Sequence, residues 1–339
     1  MGVTTTPADE IFAPGHPADA LIPDSAQDFE YIADFYGNHF ANPAFKLQRE
    51  LTHQAELVNF NATLFSADAF DSARLQSCAG LAASAYLNTP PDPAVKLTWM
   101  SGLDFVLANR LRAGLPPAPG LRTCGSCGVP VDGHPDADRV DRAHTFSCVK
   151  TKRTTRTHAH DGVNCAITAC ARRAGLAAQM EKAVHDASGR RLRPDSWVDF
   201  LADKTLTDVT IQNPAARSNI RAGDRRTLDR AYTLKLAKYA PLAAAEQARF
   251  VPLVASIYGE LHPTVIKHLK DIAQAAVDNH VIDADGKPEF YRSILAVVAK
   301  SIQRGNAHVL RNFIDKSSAA HREFRPPPGS PPPPQDGAG

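Results

Sequence analysis

"RLRPDSWVDFLADKTLTDVT", residues 191–210, holds two short apolar runs, Trp197-Val198-Asp199-Phe200-Leu201 and Leu206-Thr207-Asp208-Val209-Thr210, with a polar turn between them. That pattern predicts a pair of strands. Asp195 follows Pro194 at the start of the first run, and Asp208 lies inside the second. Strands rarely carry acids in their interior, because an unpaired carboxylate is costly to bury. A staggered hairpin would bring the two carboxylates together, and with a third acid they would suit Mg²⁺, which prefers oxygen ligands and keeps several waters. Glu181, in the strand candidate "LAAQMEKAV", is the natural third acid. Lys235 and Lys238 lie one turn apart on the following helix candidate, so both can face the sheet edge. The residues alone also fit a structural role, with Asp195 turning the chain after Pro194 and Asp208 paired to an arginine.

Outward from this stretch, the pattern alternates between helix and strand. "DGVNCAITACARRAG" (161–175) reads as a helix ended by Gly175, and "RTLDRAYTLKLAKYAPLAAAEQA" (226–248) as a long helix. "RFVPLVASIY" (249–258) reads as a strand, and residues 288–321 as a basic helical segment. The order predicts an α/β domain over 161–322 with a mixed sheet. Upstream, "SAQDFEYIADFYGNHFA" (25–41), "ADAFDSARLQSCAGLAASAYL" (67–87) and "VKLTWMSGLDFVLANRLRAGL" (95–115) show helical spacing, with "NTPPDP" and "PPAPG" as joints. They predict a helical module over 25–118. Residues 1–24 and the Pro-rich tail 323–339 lack periodicity and are expected to be unstructured.

Between the two parts, residues 119–160 are poor in regular apolar spacing but hold Cys124-Gly-Ser-Cys127 and His144-Thr-Phe-Ser-Cys148. Three thiolates and an imidazole satisfy tetrahedral Zn²⁺ with no open position, so the expected site is structural, a zinc knuckle. His134 is a competing imidazole without a nearby partner ligand. Cys78, Cys165 and Cys170 sit in apolar helical contexts and are expected in the core.

Hydrophobic content of 43% and charged content of 22% match a globular chain. No run approaches 18 apolar residues, which argues against a membrane span. The N-terminal sequence lacks the basic and apolar regions of a secretory signal, so a nuclear or cytoplasmic location is expected; Met1-Gly2 with Thr6 is a weak match to a myristoylation pattern. The net charge is +2, but it is unevenly spread. Residues 1–35 carry Asp9, Glu10, Asp19, Asp24, Asp28, Glu30 and Asp34 with no Lys or Arg. Lys150, Lys152, Arg153 and Arg156 form a basic stretch, and Arg217, Arg221, Arg225, Arg226 and Arg230 a second series. Such stretches suit phosphate backbones, although a solvated face is the commoner use of any one of them.

Taken in order, "ASAYLNTPP", "FVLANRLRAGLPPAPG", C-x2-C, H-x3-C, "RTHAHDGVN", "LRPD", "LTDVTIQNPAARS", "AYTLKLAKYAPL" and "RFVPLVASIYGEL" resemble the region after the reverse transcriptase in non-LTR retrotransposons. The resemblance is to their zinc knuckle and restriction-like endonuclease, of PD-(D/E)xK type, and covers about residues 70–315. It implies a metal-dependent DNA endonuclease with structural Zn²⁺ and catalytic Mg²⁺. In it Asp195 and Asp208 are metal-binding acids and Glu181 matches the acid before the PD strand. The lysine, replaced by Thr at position 210, has moved to Lys235 or Lys238, with Lys235 preferred. It assigns Lys150, Lys152, Arg153, Arg156, His160 and Arg193 to nucleic acid, with DNA as partner and element RNA as a further one. The family often shows an Arg-His pair after the knuckle; here His160 follows Ala159, with Arg156 further back, and the segment between Cys127 and His144 is expanded. The polymerase signature, an adjacent Asp-Asp pair, is absent. The chain therefore resembles a detached C-terminal segment, able to nick but not to reverse-transcribe. The alternative expectation is a non-cutting, zinc-containing nucleic-acid-binding protein or retroelement remnant.

Overall fold

The computed structural model describes residues 43–89, 99–118, 121, 123–131, 144–148, 150, 152–180, 184–185, 191–200, 203–221 and 226–323. The helix expected over 25–41 and the unstructured end 1–24 lie outside these residues, as do Glu181, His134 and all of the expected tail 323–339 but Glu323, which ends the last helix. The fold is mixed helix and sheet, as the alternating pattern led one to expect.

The helical part begins with α1 (Pro43–Ser66), α2 (Ala69–Ala79), α3 (Leu81–Asn88) and α4 (Gly102–Arg112). The helix expected over 67–87 is thus two, broken at Gly80, which is extended rather than helical. Asp68 and Ser101 cap α2 and α4 by accepting from Asp71 N–H and Asp104 N–H, the usual use of a short polar side chain at an N-cap. After a short turn of helix, α5 (His144–Ser147), comes α6 (Lys152–Arg173). This helix starts earlier than 161, so Lys152, Arg153 and Arg156 of the basic stretch fall in its first turns. Gly175, at φ +77°, stops it: Leu176 N–H bonds Ala171 C=O and Gly175 N–H bonds Arg172 C=O, a Schellman cap that needs a left-handed residue.

The sheet has the order β1 (Ala177–Met180), β4 (Ser196–Asp199), β5 (Lys204–Gln212), β6 (Arg249–Ser256). A separate two-residue ladder joins β2 (Val184–His185) and β3 (Arg191–Leu192). β1–β4 and β4–β5 are antiparallel, whereas β5–β6 is parallel. A parallel pair needs a crossover, here α7 (Arg217–Arg221) and α8 (Thr227–Ala245). Then follow α9 (Pro263–Asp278) and α10 (Lys287–Glu323).

Strand alternation sorts the side chains to two faces. Val198, Val209, Val251 and Leu253 join one large core with α6, α9 and α10. Trp197, Leu206 and Phe250 pack with Tyr239 and Leu242 of α8 on the opposite face. The main core also takes in Ala82, Ala85 and Tyr86 of α3 and Ala108 of α4. α10 lies against α3, α4, α6 and α9 and so links the helical part to the sheet. Among the described residues, no helix is long and apolar enough to cross a membrane. Cys78 and Cys170 are buried as expected, but Cys165 is exposed. It falls off the inward stripe of α6, which runs through Val163, Ala166, Ile167, Cys170 and Ala174.

Candidate functional site

Two clusters of chemically active side chains stand apart. In the first, a tight turn follows Cys124: Gly128 N–H bonds Cys124 C=O at 2.7 Å, and Cys124 N–H bonds Val129 C=O at 2.9 Å. The turn presents the Cys124 and Cys127 sulfurs on one side. α5 supplies His144 and Cys148 from a single helical turn, held by Cys148 N–H to His144 C=O at 2.8 Å. The four ligand atoms lie within 4.8 Å of one another. Among the described residues this is the one group of three or more such side chains that converges in this way.

The sulfurs of Cys124 and Cys148 are 3.9 Å apart and those of Cys127 and Cys148 3.8 Å. Disulfide sulfurs lie at about 2.05 Å. A tetrahedron with Zn–S bonds of about 2.3 Å has sulfurs about 3.8 Å apart. The donor set and its spacing therefore fit a metal such as zinc. Cys127 Sγ and His144 Nε2 approach to 3.0 Å, on the near side of that geometry. Burial pushes the Cys124 thiol up to about 11, so a bound cation is what would hold it as thiolate. The cluster is not a free-standing module. Leu121, Cys124, Val131 and Cys148 pack with Phe313 of α10, and Gly125 N–H bonds Ser317 Oγ at 3.1 Å. A Cβ at Gly125 would lie 2.5 Å from Lys316 O and 2.6 Å from Ser317 Cα, so only glycine permits this approach.

The second cluster forms around β5. Trp197 pairs with Leu206 and Ser196 with Thr207, while Asp195 N–H bonds Thr207 C=O at 2.9 Å. Asp195 therefore sits one step beyond the end of β4, beside Asp208. Its Oδ2 accepts from Val209 N–H at 2.6 Å, which places that oxygen within about 5 Å of the Asp208 Cα by bond geometry. Asp208 is buried, with a relative exposure of 4%. Even-numbered residues of β5 face α8, and from α8 Lys235 donates to Asp208 Oδ2. Lys238 does not share this place: its ammonium is exposed, 3.0 Å from the Tyr239 hydroxyl and 4.4 Å from the ring centroid.

α6 covers the other acid. His160 Nε2 is 2.8 Å from Asp195 Oδ2 and its Nδ1 is 3.0 Å from Asp161 Oδ1. The Asp195 carboxylate is the main cause that lifts the imidazole to about 9, against the opposing effect of burial. One turn along α6, the buried Asn164 donates to Asp195 C=O at 2.8 Å. His160, expected at phosphates, thus lies at the acids, and Asn164 is a member that the sequence reading did not single out. The i, i+4 spacing of two polar residues on an otherwise apolar helix face was the signal that could have found it. Met180, the last residue of β1, pairs with Ser196; Glu181 follows it outside the described residues. Lys150 and Arg193 are exposed, and the side chains of Lys152, Arg153 and Arg156 lie outside the described set.

Two carboxylates suit Mg²⁺, which is commonly held by one or two of them with waters and substrate phosphate completing the octahedron. Fold and sites define an α/β protein with a Cys3His cluster able to hold a metal such as zinc and a separate Asp-Asp-Lys cluster. No family model matches the chain, and no curated protein matches it in sequence.

Proposed function

We propose that the chain is a metal-dependent DNA endonuclease of restriction-like type, with a structural zinc knuckle, similar to the segment that follows the polymerase in non-LTR retrotransposons. The observation that carries the reading is the register that sets Asp195, from the loop before β4, beside Asp208 of β5, with Lys235 of the crossover helix donating to Asp208. It is supported by the pairing at the site: Asp195 lies against His160 and the neighbouring Asp208 against Lys235.

In this reading Asp195 and Asp208 would hold Mg²⁺. Bound there, the ion supplies charge neutralisation at the scissile phosphate and lowers the pKa of a water. Val209 N–H and His160 fix the direction of the Asp195 carboxylate. Lys235, set beside Asp208, orients the attacking water or balances the charge that builds on phosphorus. The water oxygen would form a bond to phosphorus while the P–O3′ bond breaks; the water's proton would pass to solvent, solvent would return one to O3′, and the products would be a 5′ phosphate and a 3′ hydroxyl. In an intact element such a nick would expose the 3′ hydroxyl for primed synthesis. The knuckle and the basic start of α6 would grip phosphates, a salt-dependent contact. DNA is the partner, with element RNA a further one, and a nuclear or cytoplasmic setting fits.

The test is nicking of supercoiled plasmid with Mg²⁺ by the wild type and by Asp208→Asn. A drop of about 100-fold or more in the variant is expected, the size of effect seen when one transition-state contact is lost. Equal and negligible nicking by both would leave a binding protein. In that case DNA affinity that survives Asp208→Asn but falls with Cys124→Ser would mark the knuckle as the working part.

A further inference from the structure

Where α6 and α10 cross, the two helices touch: a Cβ at Gly305 would lie 2.5 Å from Ala159 Cβ. Two histidines flank Ala159 on α6. His160 turns to the acids, whereas His158, about 160° away around the helix, lies on the other flank. His158 is exposed, and its ring rests against the half-buried His308 of α10, with centroids 4.3 Å apart and planes at 39°. Asn312 Nδ2 is 3.0 Å from His308 Nε2. Arg304 and Arg311 stand one turn before and after His308, on the same face of α10. Arg304 is exposed, and among the described residues neither it nor His158 has an ion-pair partner. The acids nearby are matched elsewhere. Asp104 Oδ1 of α4 is 3.0 Å from Arg311 Nη2, and Asp161 Oδ1 is 3.0 Å from His160 Nδ1. Asp315, the next acid along this face of α10, is exposed and about 10 Å from His308 at the helical rise. Burial, with His158 and Arg311 beside it, holds the His308 imidazole below its ordinary value against the opposing Asp104.

These features select an anion. Cationic groups from two helices crowd one another, so each imidazolium is disfavoured until a negative ligand arrives. A metal ion would need a third donor, and neither ring belongs to a converging group of ligands among the described residues. The place is the open flank of two helices, which encloses a small anion poorly and suits a chain of phosphates that meets several cations at once. Its surroundings extend the same chemistry. Lys152, Arg153 and Arg156 lie in the first turns of α6. The Cys3His cluster docks on α10 at Ser317, nine residues beyond His308 and about 14 Å along the helix.

We propose that His158, His308 and Arg304 form a phosphate-binding face for bound duplex DNA, on the flank of α6 away from His160. The proposal rests on the nuclease reading for its substrate, and its test is independent of cutting. The full zinc-loaded chain, without Mg²⁺, is titrated against a fluorescent duplex of about 20 base pairs over a range of salt, at pH 6 and at pH 8. Each phosphate contact adds about 0.9 to the slope of log affinity against log salt, so Arg304→Gln should lower that slope by about 1 at both pH values. An imidazole attracts phosphate when protonated, so wild-type affinity should be about threefold higher at pH 6 than at pH 8, the worth of a surface ion pair. That gain should vanish when His158→Gln and His308→Gln are combined. The variants should keep their zinc and melt cooperatively; Arg304→Gln, at an exposed position, decides the matter if the double variant does not fold. No binding of DNA, a slope that Arg304→Gln leaves unchanged, or a gain at pH 6 that survives the double variant would overturn the face. So would displacement of the duplex by polyglutamate at equal charge, which would assign the surface to an acidic protein. Plasmid nicking by the wild-type chain with Mg²⁺ is scored separately. A changed slope without nicking sinks the nuclease and keeps the face; nicking with an unchanged slope does the reverse.

Discussion

The Cys3His cluster and the acidic cluster are opposites in how they are completed. The first collects all four donors from two short local segments, and every position of a tetrahedron is filled by the protein. The second collects Asp195, Asp208, Lys235 and His160 from four elements, and its acids are balanced by the protein's own cations. A closed donor set leaves no room for substrate and so serves the fold; an open set of acids beside a lysine leaves room for a reaction. The knuckle's docking on α10 extends the contrast. Loss of a metal bound there should be felt through the helix that α3, α4, α6 and α9 share, whereas loss of an acid should be felt first by its own partner, His160 for Asp195 and Lys235 for Asp208.

The hardest blow to that contrast is Cys148→Ser. Metal content should fall from about one zinc per chain to near zero, and the melting temperature should drop by about 10 °C or more. Structural zinc in small knuckles contributes more than about 10 kcal/mol of binding free energy, part of which here supports the seat on α10. Unchanged zinc in the variant would remove Cys148 from the ligand set. Next, Lys235→Ala should lower nicking about 100-fold with zinc content unchanged; nicking kept at the wild-type rate would break the acidic cluster as an active site. Gly125→Ala comes third. The added Cβ meets Lys316 and Ser317 backbone at 2.5–2.6 Å, so unfolding free energy should fall by about 1–3 kcal/mol while zinc stays bound. An unchanged melting curve would detach the knuckle from α10.

These contrasts explain how far the sequence could be read. The ligand pairs Cys124/Cys127 and His144/Cys148 are legible because each spans one turn, so spacing alone fixes their geometry. Asp195 and Asp208 are legible because a hairpin converts a separation of thirteen positions into one register, the pairing of Ser196 with Thr207 and of Trp197 with Leu206. Lys235 could not be separated from Lys238 by spacing. The two differ by roughly 60° around the helix, and the choice depends on which one Tyr239 draws aside. His160 and Asn164 at Asp195 were out of reach, since they depend on how α6 crosses the strands. Cys165 was misplaced for a related reason: its neighbours are apolar, but the helix phase turns it outward. The role of α10 as a common seat for the knuckle, α3 and α4 is a matter of long-range packing that no local pattern carries.

A pH titration sharpens the balance of charge at the acids. The His160 imidazole is lifted to about 9 in the fold, mainly by Asp195, against an ordinary value near 6.5. A raised folded-state value means stabilisation that is fully present below about pH 6.5 and lost as pH rises through about 9. Wild type minus His160→Gln should therefore show its largest difference in melting temperature near pH 6 and almost none at pH 10. Partial exposure of the pair keeps the effect modest. A difference independent of pH would mean that the ring acts by packing rather than by charge.

The smallest expected effect is the most selective. Lys238→Ala removes an ammonium that is exposed and held over Tyr239, not over the acids. Surface substitutions of this kind change stability by about 0.5 kcal/mol or less, and nicking should change less than about twofold. Set beside Lys235→Ala, one turn away on the same helix, the pair asks whether catalysis follows contact with Asp208 or only the presence of positive charge on α8. Comparable losses in both variants would mean that the helix acts as a basic surface. The acids would then lose their specific lysine, and the distinction between an open reactive cluster and a plain charged face would collapse.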